Sequence, residues 1–275
     1  MFTCSQLRLV FVICACSVYA HAGPPFFTDD PEPVPFRHCE FYFFSALDRA
    51  YGSYGVAIPA FEFNLGPAPN LQLHIVAPMA LLALLVENPG SSTYGLGDVE
   101  LGAKYRFVQE KGGKPQIGAF PMIELPTGNS RRGLGNGELW GKLPLWVQKS
   151  WGPWTSYGGG GYIINRAPGM RDHWFFGWQV QRALNKKLVL GAEWFNPGRG
   201  MVTLGNTHLV NAGGAYNFNH NLSLLFTAGH SVHGDSHTVA YVGLYWTWGS
   251  KDGGSETQSA LTNATFTGGS RRLRY

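Results

Sequence analysis

The chain has 275 residues, a formal net charge of +4, 14% charged residues, 14% aromatic residues and 37 glycines. The charged share is well under the roughly 25% of soluble domains, and the basic run Arg271-Arg272-Leu273-Arg274 is too small to support nucleic-acid binding. Beyond the first two dozen residues no apolar run reaches the roughly 18 residues of a membrane-spanning helix. A chain of this composition meets lipid through strands, and strands satisfy their backbone groups in lipid only when closed into a barrel.

The N-terminal stretch reads as a secretory signal peptide over residues 1–22. Arg8 supplies the positive start, Leu9 to Val18 the apolar core, and Ala20-His21-Ala22 a small-x-small site with cleavage after Ala22. Residues 23–38 read as an N-terminal periplasmic leader, with Asp29, Asp30 and Glu32 as its flexible acidic part rather than a cation site. Of four cysteines only Cys39 lies past the signal, which leaves neither a disulfide nor a cysteine metal site.

From residue 39 to 249 the sequence alternates with period two. Leu101, Ala103, Tyr105 and Phe107 alternate with Glu100, Gly102, Lys104 and Arg106; Leu188, Leu190, Ala192 and Trp194 alternate with Val189, Gly191, Glu193 and Phe195. This predicts an all-β chain, a closed antiparallel transmembrane β-barrel of about twelve strands. They fall near 39–48, 54–65, 70–78, 96–108, 115–125, 138–149, 154–164, 173–183, 187–196, 206–217, 221–230 and 237–249. Connections alternate between short ones (66–69, 109–114, 150–153, 184–186, 218–220) and mostly longer, Gly/Pro/Asn-rich ones (79–95, 126–137, 165–172, 197–205). That is the expectation for short periplasmic turns and longer extracellular loops. Trp140, Trp151, Trp154, Trp174, Trp194, Trp246 and Trp248 gather near strand ends, as interfacial girdles require. The apolar run from Met79 to Val86 falls where a polar loop belongs; it extends the third strand, forms a short helix or folds into the lumen. Residues 250–275, rich in Gly, Ser and Thr, read as a polar disordered tail.

Three blocks carry a family resemblance. Gly23-Pro-Pro-Phe-Phe-Thr-Asp-Asp-Pro-Glu-Pro33 followed by His38-Cys-Glu-Phe-Tyr42 resembles the mature start of outer-membrane proteins named for a "putative meta-pathway of phenol degradation". Gly97-Asp-Val-Glu-Leu-Gly-Ala-Lys-Tyr-Arg-Phe107 and Trp151-Gly-Pro-Trp-Thr-Ser-Tyr-Gly-Gly-Gly-Gly161 are similar to further blocks of that family. The resemblance spans about residues 23–249 and implies a transporter-like outer-membrane barrel without catalytic residues. The solute class, small and hydrophobic or aromatic, comes from the resemblance alone.

No P-loop, His-Glu-x-x-His or Gly-x-Ser-x-Gly occurs. His230, Ser231, His233, Asp235, Ser236 and His237 crowd one loop, which reads as polar and solvated; an enzyme acting on lipid would have to use them. No catalytic group, metal set or cofactor is expected. Alternation turns Glu40, Glu62, Glu100, Lys104, Arg106, Glu124, Lys142, Gln148, Gln179, Gln181 and Glu193 towards the lumen, as pore-lining residues or as a structural network of pairs. Lys104 and Arg106 would then stand as free pore charges, partly neutralised by Glu124. The expected partners are outer-membrane lipid, a small solute and the barrel-assembly machinery. The alternatives are a lipid-acting enzyme and a closed structural barrel.

Overall fold

The computed structural model describes residues 25–50, 53–84, 90–201 and 205–249. The signal peptide, the tail from 250 and the last two residues of the apolar run, 85 and 86, lie outside them. The strands are β1 (His38–Ala50), β2 (Ser53–Ala68), β3 (Leu71–Leu84), β4 (Ser92–Leu96), β5 (Val99–Val108), β6 (Gln116–Ala119), β7 (Met122–Leu125), β8 (Trp140–Trp151), β9 (Trp154–Ile164), β10 (His173–Ala183), β11 (Leu188–Asn196), β12 (His208–Asn217), β13 (Leu222–His233) and β14 (His237–Gly249). Successive strands pair antiparallel, except that β4 does not pair with β5 nor β6 with β7. The circuit closes where β1 meets β14, from His38 opposite Gly249 to Ala50 opposite His237.

Two pairs of these strands are halves of single staves, so the barrel has twelve. β4 and β5 both lie on β3, with Tyr94 opposite Leu81 and Leu101 opposite Ile75. They part at Gly97-Asp98, where the Gly97 N–H still donates to Pro78 O (2.9 Å). β6 and β7 part at Phe120-Pro121 because proline has no N–H for the ladder; Phe120 N donates to Pro144 O (3.2 Å) and Ala103 N to Pro121 O (3.1 Å), carrying the sheet across the gap.

The apolar run extends the third strand: Val56 pairs with Leu81 and Ser53 with Leu84. The expected 79–95 loop therefore shrinks to residues 85–91. Period-two patterning puts Leu73, Ile75, Tyr105, Phe107, Leu143, Leu145, Leu190, Trp178 and Trp246 outside and exposed, the face a barrel offers to lipid. Trp174, at 60% exposure, belongs to that face. Trp140 does not. It is buried at 3% on the inner face, because it shares strand parity with Lys142 and Gln148, and so leaves the expected girdle.

Candidate functional site

The eleven residues turned inward by alternation all lie on the barrel's inner face, but that face is not an open aqueous wall. Residues 25–34 run inside the barrel, with Phe26, Thr28, Asp29, Pro31, Pro33 and Val34 buried. The expected flexible leader is thus a strap through the lumen. Its composition explains why it can be buried. Prolines at 31, 33 and 35 bring no N–H to satisfy, and five of the remaining donors find side chains. Phe27 N (3.2 Å) and Thr28 N both donate to the Glu193 carboxylate, Asp30 N to Asp29 Oδ1 (2.7 Å), Glu32 N to Asp30 Oδ1 (2.7 Å) and Val34 N to Gln72 Oε1 (2.9 Å). At the short-turn end Arg37, at φ 63°, reverses the chain into β1, and its N–H donates to Gly66 O (2.8 Å).

Glycines on the wall make room. A Cβ on Gly66 would stand 2.1 Å from Pro35 O, and one on Gly177 would stand 2.1 Å from Thr28 Oγ1.

Lys104 and Arg106 are consequently not free pore charges. Lys104 Nζ lies 3.0 Å from Asp29 Oδ1 and 3.6 Å from Asp30 Oδ1, and Arg106 Nη1 lies 3.7 Å from Glu32 Oε1. Burial pushes the Asp29 carboxyl up to about 6, against the pull of Lys104 beside it. Nor does Glu124 neutralise the two cations: it stands opposite Glu100, nearer the loop end of the wall. The acidic residues assigned to a flexible leader do that work, since an ammonium removed from water needs an opposite charge in contact.

The other inward residues form a wall network. Asn64 Nδ2 donates to Glu62 Oε1 (2.8 Å), the His74 ring spans Asn64 Oδ1 (2.7 Å) and Glu100 Oε1 (3.1 Å), and Lys142 Nζ meets Glu100 Oε2 at 2.8 Å. Glu40 accepts from Tyr245 OH (2.8 Å) and Tyr42 OH (3.2 Å), Gln148 stands opposite Gln116, and Gln179 Nε2 donates to Gln181 Oε1 (3.3 Å).

Towards the long loops the interior changes character. A cavity of about 660 Å³, counted with the solvent at its mouth, is lined by Met122, Trp140, Trp146, Ile163, Phe175, Phe195 and Leu209. Phe27, on the strap, also lines it and stacks on Phe195 with centroids 5.0 Å apart. Lys142 and the bonded pair His237 Nε2 and Asp48 Oδ1 (2.7 Å) are its polar points. Sequence reasoning turned Lys142 alone of these inward; it placed His237 in the loop cluster and Trp140 in the girdle. The signal for the rest was present: Trp146, Phe175 and Phe195 share parity with charged or amide residues already assigned inward.

The histidine-rich loop cluster does not converge. His237 turns to Asp48, its backbone N–H donates to Ser231 Oγ (3.0 Å), and the His230 ring meets Thr238 Oγ1 (2.8 Å). Ser231 thus accepts from a main-chain amide and has no imidazole base in these contacts.

The family model described as "Putative MetA-pathway of phenol degradation" matches residues 51–248. The chain belongs to that family. No curated protein matches it in sequence. Among solved structures, an outer membrane channel from Pseudomonas putida F1 superposes with a TM-score of 0.64 at 13% identity, covering 80% of this chain and 98% of that one. The KdgM porin (0.53, 11% identity, 75% and 99%) and the NanC porin (0.52, 6% identity, 75% and 98%) share the architecture. At such identities the likeness concerns the fold, which is that of outer-membrane β-barrels.

Proposed function

We propose that this family member is an outer-membrane channel for small solutes with a substantial apolar, ring-like part. In this reading it is exported by cleavage after Ala22, and its long loops face outwards. The observation that supports it is the aromatic-walled cavity, open towards the loops and floored by Phe27 of the strap. Apolar walls with a few convergent polar groups are what small-molecule sites consist of. A flat ring gains from Trp140, Trp146 and Phe175 by stacking and area burial, while Lys142 and the Asp48–His237 pair can take a polar substituent. Below this site the strap narrows the way, so solute passes only beside it or when it shifts; the inward charges around Lys104 line that path.

The test is reconstitution in planar bilayers and liposomes. The full barrel should show small conductance and admit a neutral aromatic solute faster than a sugar of equal size. Deleting residues 25–34 should raise conductance several-fold and abolish that preference. If neither form passes ions or neutral solutes while folding heat-modifiably, the channel reading fails.

A further inference from the structure

The short-turn end of the barrel carries Lys111, Lys114, Lys149, Lys186 and Lys187 beside Arg37 and Arg182, whereas at the long-loop end the described Lys and Arg residues outside the lumen, Arg49, Arg131, Arg132, Arg166, Arg171 and Arg199, are all arginine. Five of the six sit on three successive loops bonded into one shelf. Loop 126–139 is tied to β4 by Thr93 Oγ1 donating to Arg132 O (2.9 Å), and to loop 165–172 by Asn136 Nδ2 donating to Asn165 Oδ1 (3.1 Å). Loop 165–172 is tied in turn to the next loop. Arg171 N donates to Gly200 O (2.9 Å), Arg171 Nε to Arg199 O (2.6 Å), and Met170 bridges Met201. Asp98 anchors the shelf from the barrel wall, accepting from Gly128 N (2.9 Å) and Asn136 N (2.5 Å).

Two features mark this shelf as a recognition surface rather than a solvated rim. Among the described residues none of Arg131, Arg132, Arg166, Arg171 and Arg199 has a carboxylate within 4.0 Å, although the inward cations Lys104, Arg106 and Lys142 are all paired. The shelf also rises directly from the apolar belt. Leu139 (57% exposed), Ile164 (40%) and Trp174 (60%) are outward residues two to eight positions from these arginines in sequence. Arg131, Arg132, Arg166 and Arg199 are exposed, and long cationic side chains on loops next to a lipid-facing belt can extend to headgroups. Planar guanidinium forks match phosphate oxygens two at a time, which an ammonium cannot do.

We infer that the shelf of loops 126–139, 165–172 and 197–201 binds the phosphorylated headgroup of an anionic outer-leaflet glycolipid, with Arg131, Arg132, Arg166 and Arg199 as its donors. The inference rests on the outward orientation of the long loops in the channel reading. The lipid would hold three loops at the cavity mouth in one arrangement and seal the barrel against its leaflet.

The test uses the full barrel in detergent, with native mass spectrometry counting retained lipid after incubation with diphosphorylated lipid A, dephosphorylated lipid A or phosphatidylethanolamine. The wild type should retain the diphosphorylated form at least tenfold more tightly than the other two, and millimolar inorganic phosphate should not strip it. The variant R131Q/R132Q/R166Q/R199Q, which keeps Arg171 and its loop-tying bond, should lose that preference while remaining heat-modifiable. K186Q/K187Q at the opposite end should behave as wild type. Equal retention by the quadruple variant, no discrimination by the wild type, or complete displacement by inorganic phosphate each overturns the lipid site. Conductance recorded on the same preparations reports on the channel reading separately, so a lost lipid preference with intact conductance, or the reverse, tells the two apart.

Discussion

In the half of the lumen nearer the short turns, Lys104 and Arg106 are matched by Asp29, Asp30 and Glu32 of the strap. In the half nearer the long loops, Trp140, Trp146, Phe175 and Phe195 surround space. The difference teaches what each kind of surface can hold. Buried charges demand partners at fixed positions, so the lower half fits one occupant, the protein's own N-terminal segment. Apolar contact is non-directional, so in the channel reading the upper half takes guests of varied outline.

The sharpest way to break this comparison is to unpair the lower half. Lys104→Met leaves Asp29 buried without its cation, a change that costs about 3–5 kcal/mol when one partner of a buried pair is removed. The strap should leave the lumen, becoming cleavable by added protease around residues 25–37, with a rise in conductance. Combining it with Asp29→Asn should restore most of the protection; a strap that stays seated in the single variant would show that the ion pair does not hold it.

A somewhat smaller effect compares the packed lumen with the lipid face. An arginine on the lipid side costs roughly 2–4 kcal/mol at mid-membrane depth, and Leu190→Arg should approach that. An open lumen would make Gln179→Arg mild, but Gln179 is fully buried. Denaturant titration in detergent should therefore find Gln179→Arg at least as destabilising as Leu190→Arg.

Steric change at the wall comes next. Gly177→Val places a side chain against Thr28, and overpacking of this kind costs about 1–3 kcal/mol. Partial protease sensitivity of the strap, with the barrel's heat-modifiable migration intact, is the expected result; full protection would mean that the strap passes Gly177 with room to spare.

The smallest effect belongs to the upper half. Trp146→Leu removes one aromatic wall of the cavity and should weaken binding of a neutral aromatic solute roughly tenfold, equivalent to about 1.4 kcal/mol. Tryptophan-quenching titrations measure this directly. Ion conductance should hardly change, because the strap, not the cavity, sets the narrowest point. A variant that alters conductance and leaves aromatic affinity alone would reverse the assignment of the two halves.

What the sequence by itself determined is the barrel and its two faces. Strand geometry turns successive side chains to opposite sides, so alternation in segments such as Leu101–Phe107 already carries strand count and face. The stave breaks at Gly97-Asp98 and Phe120-Pro121 needed only the turn and proline chemistry visible there. Parity even contained the inward position of Trp140, which clustering near strand ends obscured. Tertiary structure alone decided what fills the barrel. The contacts between Asp29 and Lys104, and between Thr28 and Glu193, join residues 75 and 165 positions apart. No local period links them, because their partnership is set by the closed wall that brings distant strands around one axis. An acidic, proline-rich stretch reads the same in sequence whether water or two cations on the wall meet it. Only the fold, by withdrawing the water, makes the ion pairs the lower-energy arrangement and gathers the aromatic side chains above them.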